Sequence, residues 1–148
     1  ALDEPAPEAG EEEPSQSTEM RRVLVMDDDS VVLAVVSRML ERLGYAVDTA
    51  TDGEAALERY RAAMAEDSTY DVVLMDLTIP DGMGGREAVG RLLEIDPSAR
   101  AIVSSGYSSD PVMAEYRKYG FRAVMAKPYD LKELRRTIEE VISGAPAR

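Results

Sequence analysis

The chain contains no cysteine and no histidine. Without cysteine there is no disulfide framework and no thiolate metal site. Without histidine the commonest general base and the commonest metal ligand are missing, and the chain cannot carry a phosphohistidine of its own. A zinc centre would have to be built from carboxylates alone, against that ion's preference for nitrogen and sulfur. No apolar run approaches the ~20 residues of a membrane span, and no signal-peptide pattern opens the chain. The expected compartment is the cytoplasm, although a parent protein could be membrane-anchored.

Basic residues are also missing locally. Residues 1–20 hold seven acids (Asp3, Glu4, Glu8, Glu11, Glu12, Glu13 and Glu19) and neither Lys nor Arg. The rest of the chain has 22 of the 29 acids against all 17 basic residues, a net charge of −5. An acidic body argues against nucleic-acid binding by this chain. The Pro-, Glu-, Ala- and Ser-rich start cannot bury enough apolar surface to offset its ordering entropy, so residues 1–20 are expected to be a disordered linker or tail. Residues 21–148 form the expected domain, an ordinary size for one core.

From Arg22 onward, short apolar runs alternate with helical patterns. Runs at 23–26 and 72–75 have the apolar character of strands buried on both faces, 101–104 is strand-like, 123–126 is the expected fifth strand, and 46–50 reads as a weaker edge strand. Ser30 is the expected cap of a first helix in which Val32, Val35, Val36, Met39, Leu40 and Leu43 follow helical spacing, with Gly44 as its stop. Asp52 caps a second helix through Met64. A third runs from about 86 to 95, stopping near Pro97. Asp110-Pro111 opens a fourth. Asp130 caps the last, with Glu133 at the capping-box position. Five such strand–helix units imply an α/β fold, a parallel sheet between two helical layers.

Ligands in such sheets bind beyond the carboxyl ends of the strands. Those positions hold Asp27, Asp28 and Asp29 after the first strand, Asp76 after the third, Ser105-Gly106 after the fourth and Lys127-Pro128 after the fifth. Each has an ordinary reading: a cap, a turn residue, a turn dipeptide, a solvated Lys before a helix-starting Pro. Their conjunction, each following its own strand, points to a single pocket. Crowded carboxylates repel one another and need a compensating cation, for which Mg²⁺ with oxygen ligands is suited where phosphate is handled.

These residues sit in the stretches VLVMDDDS, DVVLMDLTIPDGMGG, AIVSSGYS and VMAKPYD. The wording resembles the response-regulator receiver family of two-component systems over about residues 21–143. The resemblance implies a flavodoxin-like, doubly wound five-stranded parallel sheet of order 2-1-3-4-5 with five helices. It implies that Asp76 accepts a phosphoryl group from a phosphohistidine on a partner histidine kinase or phosphotransfer protein. It also implies that Mg²⁺ (or Mn²⁺) is bound by Asp28, Asp76 and the Thr78 backbone carbonyl, with Asp27 acting mainly through water. Ser105 and Lys127 would contact the phosphoryl oxygens, and the Lys127–Pro128 peptide would be cis. The DLTIPDGMGG and SSGYS wording resembles receivers on the C-terminal side of hybrid sensor histidine kinases, which would make the acidic segment the linker from a kinase core.

Two positions depart from the family's usual pattern. Val124 occupies the place, three before the Lys, where the family often has an aromatic switch residue. Thr78 and Tyr107 occupy positions that tune dephosphorylation. Two other readings stand beside the receiver. One is a phosphatase of the haloacid-dehalogenase type with Asp76 as nucleophile, although Thr78 replaces the second acid such enzymes use. The other is an interaction module that works without phosphorylation, against which the intact Asp76, Ser105 and Lys127 argue.

Overall fold

The computed structural model describes residues 20–106 and 110–144. All of the predicted acidic tail except Met20 therefore lies outside the described residues, as does Tyr107. Five strands, β1 (Arg22–Met26), β2 (Ala46–Ala50), β3 (Val72–Asp76), β4 (Ala101–Ser105) and β5 (Ala123–Ala126), form one parallel sheet in the order β2-β1-β3-β4-β5. The parallel sheet is what the alternating pattern predicts, and the strand order is the one the family resemblance implies.

The sheet is covered on both faces, and β3 shows why its sequence has no polar alternation. Val72 and Leu74 point into one core with Val36, Leu40, Leu134 and Ile138. Those partners come from α1 (Ser30–Arg42) and α6 (Leu131–Ser143). Val73 and Met75 point into the other core with Leu57, Tyr60, Val89 and Leu92, which come from α2 (Gly53–Ala65) and α3 (Gly85–Ile95). Successive strand residues face opposite sides, so a strand sandwiched between two helical layers must be apolar throughout.

Three local expectations are corrected. The cap of α1 is Asp29 rather than Ser30. The Asp29 carboxylate accepts from the amides of Val31 (2.9 Å) and Val32 (3.4 Å), leaving Ser30 as the first helical residue. The fourth helix is two separate turns, α4 (Pro111–Ala114) and α5 (Tyr116–Tyr119), so there are six helices among the described residues. Val112 and Met113 anchor the first turn in the core and Phe121 anchors the exit. The residues of α5 bury nothing completely, so no continuous apolar stripe holds the two turns as one helix. Finally, Val35 belongs to the apolar stripe of α1 but not to its buried face; it is 52 % exposed, and Val31 is 67 % exposed. Asp52 and Asp130 cap α2 and α6 as expected, accepting from Ala55 N (2.9 Å) and Glu133 N (2.8 Å).

Candidate functional site

The parallel topology brings the carboxyl ends of β1, β3, β4 and β5 to one edge. Asp27 follows β1, its amide still held by the Ala50 carbonyl of β2 at 3.1 Å. Asp76 is the last residue of β3 and pairs in register with Ser104 of β4. Ser105 ends β4 and is 2 % exposed; its carbonyl accepts from Lys127 N at 2.9 Å. The backbone itself therefore sets Lys127 beside β4, and the Lys127–Pro128 peptide is cis, as the family resemblance implied.

Asp27, Asp28 and Asp76 each offer a carboxylate oxygen, and these oxygens lie within 4.8 Å of one another. Asp27 is 3 % exposed and Asp76 9 %, while Asp28 opens to solvent. Lys127 Nζ reaches Asp27 Oδ2 at 2.7 Å and Asp76 Oδ1 at 3.3 Å. Asp27 Oδ1 accepts from Asp29 N at 2.9 Å. Both Asp27 oxygens are thus engaged by protein donors, whereas Asp76 shares one cation with a nearer competitor.

The electrostatic consequence falls on Asp76. Burial pushes its carboxyl up to about 6, aided by the charges of Asp27 and Asp28 and opposed by Lys127. Lys127 is itself partly desolvated, which disfavours its charge, but the hydrogen bond to Asp27 and the two carboxylates outweigh this and hold it above the ordinary lysine value. Three carboxylates with one fixed cation leave an excess of negative charge at an open edge. That donor set, all oxygen and close enough to share an ion, fits a hard divalent cation such as Mg²⁺.

Thr78 is exposed, two residues beyond Asp76, at the start of the loop into α3. Val124 is half-buried against the core shared with Val103 and Phe121. The close seat of α3 also fixes the end of β3: a Cβ on Gly85 would lie 2.9 Å from the Asp76 carbonyl oxygen and 3.2 Å from Met75 Cβ.

Two features escaped sequence reasoning. Tyr129, two residues after Lys127, has its hydroxyl pushed above the ordinary tyrosine value by burial and by the charges of Asp27, Asp76 and Glu133. It shares a groove of about 230 Å³ with Lys127, Pro128 and the α1 residues Val31, Val32, Val35, Val36 and Met39. The signal was present in the unusually broad apolar stripe of α1, wider than a buried face requires.

The sequence profile of the response regulator receiver domain matches residues 23–139. The chain belongs to the response regulator receiver domain family. The receiver is 32 % identical over 110 residues to the chemotaxis protein CheY of Thermotoga maritima, covering 74 % of this chain and 87 % of that one. It is 33 % identical over 122 residues to the CheY of Treponema pallidum, covering 82 % of each. Among solved structures, a two-component response regulator of the LuxR family from Aurantimonas aligns with a TM-score of 0.76 at 29 % identity, over 88 % of this chain and 90 % of that one. The response regulator TrrA of Thermotoga maritima, solved in complex with Mg²⁺ and beryllium fluoride, aligns with a TM-score of 0.72 at 26 % identity, over 82 % of this chain and 99 % of that one. Receiver domains bind Mg²⁺ at an acidic pocket and work with histidine kinases and phosphotransfer proteins in phosphorelay signalling. These relatives do not carry the finer resemblance to the receivers of hybrid kinases. Among the described residues no helix is long and apolar enough to cross a membrane.

Proposed function

We propose that Asp76 is the phospho-acceptor of this receiver and that its acid pocket loads Mg²⁺ through Asp28, Asp76 and the Thr78 backbone carbonyl. The observation that carries this is the meeting of Asp76 with Asp27, Asp28 and Lys127 at one strand edge. Asp27 already has both oxygens on protein donors, which suits it to act on the ion through water. The ion, when bound, supplies charge compensation for the phosphoryl oxygens.

The chain's own residues do the rest. Asp76 projects from the end of a strand buried along its whole length, so its carboxylate is held rigidly for in-line attack. Its attack on an anionic donor is opposed by repulsion, and Lys127 offers a charge to spread it. Ser105, buried at the adjacent strand end, is assigned the donor that answers the new phosphoryl oxygens. Pulling Ser105 toward the pocket would draw on the segment before Asp110 and bias the face built from α4, α5, β5 and α6. With Val124 in place of an aromatic, that rearrangement is expected to be small.

The donor histidine must lie outside these 148 residues, which contain none. The apolar groove opens beside Lys127 and is rimmed by the exposed Val31 and Val35. We assign it to the phosphohistidine-bearing kinase or phosphotransfer protein, whose flanking apolar residues would seat there while its histidine reaches Asp76. The test is phosphoryl uptake from acetyl phosphate with and without Mg²⁺, beside uptake from a phosphorylated partner. Asp76→Asn should abolish both, and Val31→Asp with Val35→Asp should impair only the second. Uptake by Asp76→Asn, or metal-independent uptake, would defeat the assignment.

A further inference from the structure

Side chains alternate along a strand, so residues two apart leave the sheet on the same face. Val25, Leu74, Ile102 and Met125 share the core beneath α1 and α6. Two residues on from each stand Asp27, Asp76, Ser104 and Lys127. These four therefore belong to one face. Asp27, Asp76 and Lys127 are already joined in the acid pocket. Ser104 lies among them, in register with Asp76 on one side and Met125 on the other. Leu77 N donates to the Ser104 carbonyl at 2.9 Å and holds that pairing. By the same alternation Ser105 leaves the strand on the side of Val103, in the other core. Because β4 separates β5 from β3 and β1, the Lys127 stem crosses the end of β4 to bring its ammonium to Asp27 and Asp76.

Ser104 is 3 % exposed. Among the described residues its hydroxyl makes no hydrogen bond. Room for the Lys127 stem explains a small residue here. It does not explain a hydroxyl, since alanine is smaller and has no polar atom to desolvate. A buried donor without an acceptor costs stability unless another state of the molecule uses it. The adjacent acceptor is Asp76. Both oxygens of Asp27 are engaged by protein donors. Asp76 takes one long bond, from Lys127 to Oδ1 at 3.3 Å, and among the described residues its Oδ2 accepts from no protein donor. Neighbouring strands are ~4.8 Å apart, so a turn of the serine side chain brings its hydroxyl within hydrogen-bond reach of an in-register Asp on the same face.

We propose that the Ser104 hydroxyl donates to the Asp76 carboxyl group and sets how long a phosphoryl group stays there; this rests on Asp76 being the phospho-acceptor. In the loss of that group a water oxygen attacks phosphorus. The bond from phosphorus to the Asp76 oxygen breaks, and its electron pair returns to Asp76. The acyl phosphate dianion and water thus give the carboxylate and dihydrogen phosphate. Asp76 gains charge in this step, and a hydroxyl donor beside it stabilises the carboxylate more than the mixed anhydride. The same preference opposes uptake, in which Asp76 gives its charge up. Ser104 therefore shortens the phosphorylated lifetime without assisting uptake, whereas the Lys127 charge assists both directions.

Threonine and valine have nearly the same shape and differ by a hydroxyl, so Ser104→Thr and Ser104→Val separate the donor from packing. Each full chain is loaded with acetyl phosphate and Mg²⁺, the adduct is located by mass spectrometry, and its decay is followed after the phosphodonor is removed. Ser104→Val should keep its phosphoryl group about fivefold longer than Ser104→Thr and load at least as fast. Ser104→Ala, which removes only an oxygen, should be longer-lived than the wild type by a similar factor and carries the same comparison if the larger residues do not fit. Equal decay with and without the hydroxyl, or slower uptake joined to faster decay in its absence, overturns the proposal. A wild-type adduct on a residue other than Asp76 overturns both this proposal and the assignment it rests on; a normal Asp76 adduct whose lifetime ignores position 104 overturns this proposal alone.

Discussion

Asp76→Asn should make the metal-free receiver more stable at neutral pH and leave it nearly unchanged at pH 4. Burial and the neighbouring Asp27 and Asp28 charges raise the Asp76 carboxyl from its ordinary 3.8 to about 6. The unfolded chain then releases this proton near pH 4, while the folded chain keeps it until pH 6. Between those values the folded state binds more protons, so its stability declines as pH rises. Each tenfold difference in proton affinity is worth about 1.36 kcal/mol, so the loss on passing from pH 4 to pH 7 approaches 3 kcal/mol. Asparagine has no charge to desolvate and leaves Lys127 paired with Asp27, 2.7 Å away. Urea unfolding of both proteins in chelator across pH 4–8 would measure the difference, in which the other carboxylates cancel. The gap should open in favour of the variant through pH 4–6 and narrow when millimolar Mg²⁺ is added, because the ion stabilises only the carboxylate form by mass action. A gap that does not vary with pH, or a wild-type receiver that is the more stable of the two at pH 7 without metal, would refute the reasoning.

Other outcomes follow from neighbouring features. Lys127→Ala should still take up a phosphoryl group, more slowly, but should lose the accompanying change in amide exchange across β4, α4 and α5; an unchanged exchange response would remove Lys127 from the switch. Gly85→Ala forces a methyl to within 2.9 Å of the Asp76 carbonyl oxygen, and should cost roughly 1–3 kcal/mol in chemical denaturation while slowing phosphoryl uptake. Burial and the hydrogen bond to Asp48 push the Tyr70 hydroxyl up to about 12, so its contribution is intact below pH 10 and lost as pH rises toward 12. Tyr70→Phe should be about 1 kcal/mol less stable at pH 7 yet lose less on titration through pH 10–12.

Much of this was readable from the chain alone, for identifiable reasons. The run Val72–Asp76 is apolar until its last residue, and a parallel sheet puts last residues together; hence the sequence alone places Asp76, Asp27, Ser105 and Lys127 on one edge. What was not readable depends on contacts between distant segments. Asp29 rather than Ser30 caps α1 because the preceding Asp27 oxygen holds the Asp29 amide and sets its turn. The break between α4 and α5 follows from which of Val112, Met113 and Phe121 find the core, and local propensity does not report that. Val35 fits helical spacing as well as Val36 does, but only packing tells the groove from the core.

The central claim is that Asp76 carries the phosphoryl group, and locating the adduct tests it most directly. The receiver is incubated with Mg²⁺ and acetyl phosphate, the acyl phosphate is trapped by borohydride reduction, and tandem mass spectrometry of the peptides finds the reduced residue. The account predicts reduction at Asp76 alone, dependent on Mg²⁺; reduction at Asp27, Asp28 or any other acid, or none at all, would contradict it.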